Sequence, residues 1–172
     1  MTTEEYGEGD FMTEVIEFKP IGIIHSPFKI TENIPIQSHG GKGIAGTVEI
    51  APELTDGLKD IDGFSHIILL YYFHKSEGYS LIVKPFLEEK LRGVFATRAP
   101  KRPNSIGLSI VKLIKVEGNK LFIEDVDVLD GTPLLDIKPY VPGFDDRKDA
   151  LSGWLSEIYE RSDEARSDGR FK

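Results

Sequence analysis

Residues 108–129 read LSIVKLIKVEGNKLFIEDVDVL, and no other stretch limits the fold as strongly. Two arms rich in Val, Ile, Leu and Phe flank Gly118 and Asn119, which read as the two-residue turn of a hairpin. A hairpin this long leaves two rows of backbone groups unpaired unless further strands cover them, so the segment demands a sheet around it. FSHIILLYYFHK, residues 64–75, is apolar almost throughout and reads as a strand buried on both faces at the centre of that sheet.

Further strands are predicted in VIEFKPIGIIHSP (15–27), where Pro20 marks an edge or a bulge, in TVEIAP (47–52) and in YSLIVKP (79–85). ELTDGLKDIDG (53–63) reads as a helical turn ended by Gly57, followed by a turn at Asp62 and Gly63. The total is about six strands with little helix. A sheet of that size avoids bare edges by closing, so the expected class is mainly β: a small closed or nearly closed six-stranded barrel with short helices. The 172 residues suffice for one such core.

Residues 1–14 are acidic and lack apolar periodicity, which predicts a disordered tail before a barrel domain at 15–145. Over 146–172, Leu151, Trp154, Leu155 and Ile158 fall at helical spacing, so a C-terminal helix and a charged tail are expected.

The chain contains no cysteine, which excludes disulfides, thiolate metal sites and thiol nucleophiles. The start MTTEEYGEGD has neither the basic nor the apolar region of a signal peptide, and the longest apolar run, Ile67 to Phe73, is too short for a membrane span. The expectation is a soluble, cytoplasmic protein with no membrane partner.

GKGIAG, residues 41–46, fits the spacing of a dinucleotide-binding turn, but its neighbours do not. A Pro-broken loop precedes it and a strand follows, so no helix N-terminus is available to face a pyrophosphate. The glycines are read as a flexible connection between strands. Gln37, just upstream, is the chain's single glutamine, and the scarcity of Gln, Asn, Cys and Met leans towards a heat-adapted source.

A net charge of -8 disfavours indiscriminate attraction to nucleic acid. Within it, residues 84–102 carry six basic side chains (Lys84, Lys90, Arg92, Arg98, Lys101, Arg102) against two acidic ones (Glu88, Glu89), a local +4 that suits a phosphate-bearing partner. Prolines at 100 and 103 stiffen this loop. In DVDVLDGTPLLDIKPY, residues 125–140, Asp127 and Asp130 flank a strand end and can accept hydrogen bonds from hydroxyl or ammonium groups. The alternative is an Asx turn that merely closes the strand. His25 and His74 end apolar segments and are candidates for one barrel mouth, whereas His66 reads as a hydrogen-bonded core residue. No metal-ligand spacing appears, so no metal is assigned. Ser105 and Ser109 have no adjacent base in sequence, which removes a serine hydrolase.

PIGIIHSPF, GFSHIILLYYFHK, GVFATRAPKRPNSIGLSIVKL and DVLDGTPLLDIKPYVP, taken in this order across roughly residues 16–145, resemble the TrmO (TsaA-like) family. The resemblance implies a β-barrel methyltransferase that uses S-adenosyl-L-methionine on N6 of threonylcarbamoyladenosine in tRNA, next to the anticodon, and that binds the cofactor near a homodimer interface. Carried over by motif, cofactor contacts fall on Gln37, Ser38 and His39, on His74 and Lys75, on Arg98 and Leu108, and on Asp127, Val128, Leu129 and Asp130. Arg92, Lys101 and Arg102 are the expected RNA contacts. The catalytic residue stays open: His74 and Asp130 are both possible proton acceptors.

Two departures stand against the pattern. Ile36 occupies a position where the family often carries Arg, and the additional C-terminal domain of bacterial members has no counterpart here. Two other readings are kept open: a non-catalytic barrel that binds an adenosine ligand and acts through a partner, and a plain RNA-binding barrel. The second needs exposed aromatic residues for stacking, and Tyr71, Tyr72 and Phe73 read as buried.

Overall fold

The computed structural model describes residues 15–156, 158, 164–168, 170 and 171. Ten strands are assigned among them: β1 (Gly22–His25), β2 (Glu32–Pro35), β3 (Gly46–Ile50), β4 (His66–Tyr72), β5 (Ile82–Val83), β6 (Arg92–Gly93), β7 (Ile106–Glu117), β8 (Lys120–Glu124), β9 (Thr132–Pro139) and β10 (Arg166–Asp168). Six of them close into an antiparallel barrel in the order β1-β3-β8-β7-β4-β9, with β9 returning to β1. The expected tail at 1–14 lies outside the described residues.

The hairpin forms as predicted. Gly118 takes φ 58° and Glu117 pairs with Lys120 across the two-residue turn. The Asn119 amide also donates to the Ile50 carbonyl at 2.6 Å, which ties the turn to β3. Along β4, burial alternates: Ile67, Leu69 and Tyr71 point into the barrel, while Ile68, Leu70 and Tyr72 point outward. The segment is therefore not buried on both faces, because closure into a barrel gives each strand one interior face. The core is aliphatic, with Ile24, Val48, Ile67, Leu69, Val111, Leu121 and Leu134 fully enclosed.

The other short strands form satellites. β5 pairs with β6, so the strand expected at 79–85 contributes only two residues, outside the barrel. β10 pairs with β2 and draws the C-terminal segment back across the barrel end. The helix expected over Leu151 to Ile158 is replaced by a 3-10 turn at Gly153–Leu155. Gly153 takes φ 55°, a conformation incompatible with a right-handed helix, and Leu151 is solvent-exposed instead of packed. A one-turn helix, α1 (Pro142–Asp145), is the α-helix among the described residues, and no described helix is long and apolar enough to cross a membrane.

The GKGIAG loop has a local purpose. Gly43 takes φ 75° and donates its N–H to Asp125 Oδ1 at 2.8 Å, while a Cβ on Gly41 would lie 2.7 Å from the Val126 carbonyl oxygen. Asp125 is itself left-handed at φ 69°. The glycines thus clamp the corner where β8 turns into residues 126–131, which makes them part of the site's scaffold.

Candidate functional site

At the barrel end where β4 finishes and β7 begins, a cavity of about 750 Å³ opens. Its floor is Tyr71, Phe73, Asp127, Val128 and Leu129. Ile34 to His39 form one wall and Phe95 to Pro100 the opposite one. Pro85 to Leu87 and, from the C-terminal segment, Trp154, Ser167 and Phe171 complete the enclosure. Trp154 is fixed by its indole N–H, which donates to the Ala96 carbonyl at 2.8 Å. Phe171 packs edge-on against Phe86 at 5.0 Å between centroids.

A side-chain hydrogen bond joins the two walls. Arg98 Nη1 donates to Gln37 Oε1 at 2.8 Å, joining residues 61 apart in sequence. The lone glutamine therefore orients a guanidinium over the cavity. Below it runs a hydrogen-bonded chain with its Tyr71 and Ser109 end buried, in which Tyr71 Oη lies 3.0 Å from Ser109 Oγ and Ser109 Oγ donates to Oδ1 of the half-buried Asp127 at 2.6 Å. A carboxylate only accepts, so the Ser109 proton points to Asp127 and the Ser109 oxygen accepts from Tyr71. Burial pushes the Asp127 carboxyl up to about 7, against the lowering effects of the Ser109 bond and of Arg98. Burial, and then the Asp127 charge, raise the Tyr71 hydroxyl as well.

Gly107 makes this chain possible. It faces Tyr71 directly across the β4–β7 ladder, and a Cβ there would sit 2.2 Å from Tyr71 Cε2. The tyrosine ring lies in the space that the missing side chain leaves. Ser76 adds an unusual feature to the same wall: its hydroxyl is buried with no hydrogen-bond partner among the described residues.

Nine of the eleven expected cofactor contacts line the cavity: Gln37, Ser38, His39, His74, Lys75, Arg98, Asp127, Val128 and Leu129. The remaining two do not. Leu108 sits on the outward face of β7 and is 42% exposed. Asp130 is turned towards the β1–β2 connection, where it accepts from the Ser26 N–H at 3.0 Å and pairs with Lys29 at 2.7 Å. The Lys29 bond holds its carboxyl below the usual range. His25 stands 3.6 Å from Asp130 and 3.8 Å from Glu49, away from the cavity, whereas His74 lines it. Burial and the adjacent Lys75 lower the His74 ring. His66 is hydrogen-bonded to Ser65, as expected, but only partly buried.

The basic stretch is less cationic than its composition. Lys84 pairs with Glu89, and Arg92 forms a two-pronged pair with Glu88 at 2.7 and 2.8 Å while its guanidinium lies over Trp154. Arg102 donates to the carbonyls of Thr97 and Ala99, so it holds the loop that carries Arg98. Of the three expected RNA contacts, Lys101 makes no ion pair among the described residues, whereas Arg92 and Arg102 have structural work. No group of His, Asp or Glu among the described residues is arranged to hold a metal.

Tyr71, Ser109 and Gly107 are the positions of this site that the sequence does not single out. The carboxyl beside Ser109 arrives from Asp127, 18 residues downstream, which adjacency in sequence does not reveal.

Residues 23–146 match the family described as the tRNA-methyltransferase O N-terminal domain. A probable S-adenosyl-L-methionine-binding protein of Pyrococcus abyssi is 57% identical over 157 residues, covering 91% of this chain and 85% of that protein. A mouse protein named tRNA (adenine(37)-N6)-methyltransferase is 38% identical over 144 residues, covering 80% of this chain and 32% of its own length. The crystal structure of TrmO from Pseudomonas aeruginosa superposes with a TM-score of 0.70 at 40% identity, covering 81% of this chain and 62% of that one. The chain therefore spans somewhat less than two thirds of the crystallised protein and about a third of the mouse one. With the barrel, the cavity and the matched span in agreement, the chain belongs to the family of tRNA-methyltransferase O N-terminal domains.

Proposed function

We propose that this protein is a cytoplasmic S-adenosyl-L-methionine-dependent methyltransferase acting on N6 of threonylcarbamoyladenosine in tRNA, next to the anticodon. The observation that carries the reading is the donor set around one cavity: a guanidinium held by Gln37, a half-buried, desolvated carboxyl at Asp127 and a Ser76 hydroxyl without a partner among the described residues. A volume of about 750 Å³ suits a ligand of this size. Arg98 would hold the cofactor's carboxylate, the Asp127 side would face its sulfonium, and Phe73 or Phe86 would cover its adenine.

The cofactor supplies a methyl group already activated by positive charge on sulfur. The chain's own contribution is alignment and exclusion of water, because an in-line displacement gains most from holding donor and acceptor in register. The walls at 34–39 and 95–100, tied together by Gln37 and Arg98, provide that enclosure. Lys101 supports contact with RNA phosphate from outside the cavity.

A homodimer belongs to the same proposal. The outward ladder of β4 and β7 pairs Tyr72 with Ile106, Leu70 with Leu108 and Ile68 with Ile110, an apolar strip in which Tyr72, Ile106 and Leu108 are well exposed. Packing through that strip would cover Leu108 next to the barrel end that holds the cavity.

Mass spectrometry of nucleosides from threonylcarbamoyladenosine-containing tRNA, after incubation with protein and cofactor, tests the function. A mass gain of one methyl on that nucleoside is expected. Transfer to a different nucleoside, or none, refutes it. Cofactor binding without any transfer would favour the second reading, a non-catalytic barrel acting through a partner, which the naming of the Pyrococcus relative as a binding protein supports.

A further inference from the structure

We infer that Asp127 is the group that takes the proton from the methylated nitrogen, and that Ser109 and Tyr71 are positioning residues that present its carboxylate to the cavity. The inference rests on the methyltransferase reading and adds a catalytic residue to it.

Asp127 is half-buried, but its carboxyl is desolvated, and a desolvated carboxylate is costly and ordinarily found paired with a cation. Asp127 has no salt-bridge partner among the described residues, because the nearby guanidinium of Arg98 is directed to Gln37. A fold that needed only a plug at this position would place an apolar side chain there. Instead three separate segments converge on it: β4 through Tyr71, β7 through Ser109, and the corner after β8 through Asp127 itself. Gly107 is spent on seating the tyrosine, and Gly43 on fixing the corner through Asp125. The hydroxyl chain occupies one carboxylate oxygen, Oδ1, and Asp127 lines the cavity. Oδ2 is the oxygen assigned to the substrate.

The other acceptors are less suited. Asp130 is outside the cavity and engaged with Ser26 and Lys29. His74 lines the cavity next to the cationic Lys75, and among the described residues no hydroxyl chain like that of Tyr71 and Ser109 orients its ring. The charged or titratable groups facing Asp127 from the elements packed on it are Tyr71 and Arg98, one of each side of the site.

The step balances without a further reactant. The sulfur–methyl bond breaks with its electron pair passing to sulfur, the N6 lone pair forms the new nitrogen–carbon bond, and the N6 proton passes to Asp127 Oδ2, from which it returns to solvent after product leaves. General-base assistance of this kind contributes ~10²–10⁴-fold to rate.

The test uses the full chain and three proteins: wild type, Asp127→Asn and Ser109→Ala. Calorimetry with S-adenosylmethionine and with its demethylated thioether product, S-adenosylhomocysteine, which lacks the sulfonium charge, is run from pH 6 to 8.5, beside single-turnover transfer to threonylcarbamoyladenosine-containing tRNA. In wild type the preference for the sulfonium ligand over the thioether should grow at least ~3-fold across this range as the carboxylate ionises, and the growth should vanish in Asp127→Asn. Transfer by Asp127→Asn should fall by ~10²-fold or more while it still binds both ligands. Ser109→Ala should shift the acidic limb of the rate profile to higher pH, because the lost hydrogen bond stabilised the carboxylate; a purely structural serine would leave that limb in place. An Asp127→Asn protein that transfers methyl within threefold of wild type, or keeps the pH-dependent ligand preference, overturns the inference alone. Wild type that transfers no methyl to this tRNA overturns the methyltransferase reading, and the inference falls with it.

Discussion

The same desolvated carboxyl should be visible in stability, with no substrate present. The Asp127 carboxyl is raised from 3.8 to about 7 in the folded chain. As pH climbs above 3.8 the unfolded chain releases this proton while the folded chain retains it, so stability falls with rising pH until the folded carboxyl ionises near 7, and is flat beyond. At about 1.4 kcal/mol per pH unit, the accumulated cost is about 2 kcal/mol at pH 5 and about 4 kcal/mol at pH 8. Asp127→Asn removes the titration but keeps an acceptor oxygen for Ser109. Whatever the new amide costs is independent of pH, so it cancels when the difference between variant and wild type is followed across pH. Urea unfolding of both proteins between pH 5 and 8 should show the variant gaining roughly 2–3 kcal/mol on wild type over that interval. A difference that stays constant within error would mean that Asp127 ionises as freely in the folded chain as in the unfolded one. Its burial would then carry no electrostatic cost.

Three further substitutions test the site's scaffold and the RNA contact. Gly107→Ala should destabilise the chain by about 1–3 kcal/mol in urea titration and weaken S-adenosylmethionine binding in calorimetry, because the added methyl displaces the Tyr71 ring and with it the chain to Asp127. Arg102→Ala should lower the unfolding midpoint by leaving two loop carbonyls without their donor, whereas Lys101→Ala should leave the midpoint unchanged and reduce the salt slope of tRNA binding by about 1.

The fold was largely legible because its determinants are local. Gly118 and Asn119 define the hairpin without help from the rest of the chain, and the apolar alternation of β7 and β8 has few other solutions. The C-terminal helix failed for an equally local reason that spacing conceals: Leu151, Trp154 and Leu155 have helical periodicity, but Gly153 stands among them and adopts a left-handed backbone, which frees Trp154 to reach the Ala96 carbonyl. Periodicity reports which residues seek burial, not which surface will bury them. The side-chain partners within the basic stretch were hidden for a different reason. Counting charges cannot show that Arg92 is spent on Glu88 and Arg102 on carbonyl oxygens.

The site was half legible, and the division has a physical origin. Gln37 and Arg98 lie in loops, where an unusual residue stands out against a featureless background. Tyr71, Ser109 and Gly107 lie on strands whose inward positions also build the core, so they read as packing. Their parity carries the missing signal. Inward pairs along β4 and β7 run Ile67 with Val111, Leu69 with Ser109, and Tyr71 with Gly107, which is a passage from purely aliphatic to polar and glycine over two steps. In a closed barrel, interior positions far from the mouth must be apolar, since nothing there can satisfy a polar group, whereas those near the mouth can serve a ligand. A polar gradient along one inward row therefore marks which end of the barrel is open for chemistry. Here it points to the end at which Asp127 waits.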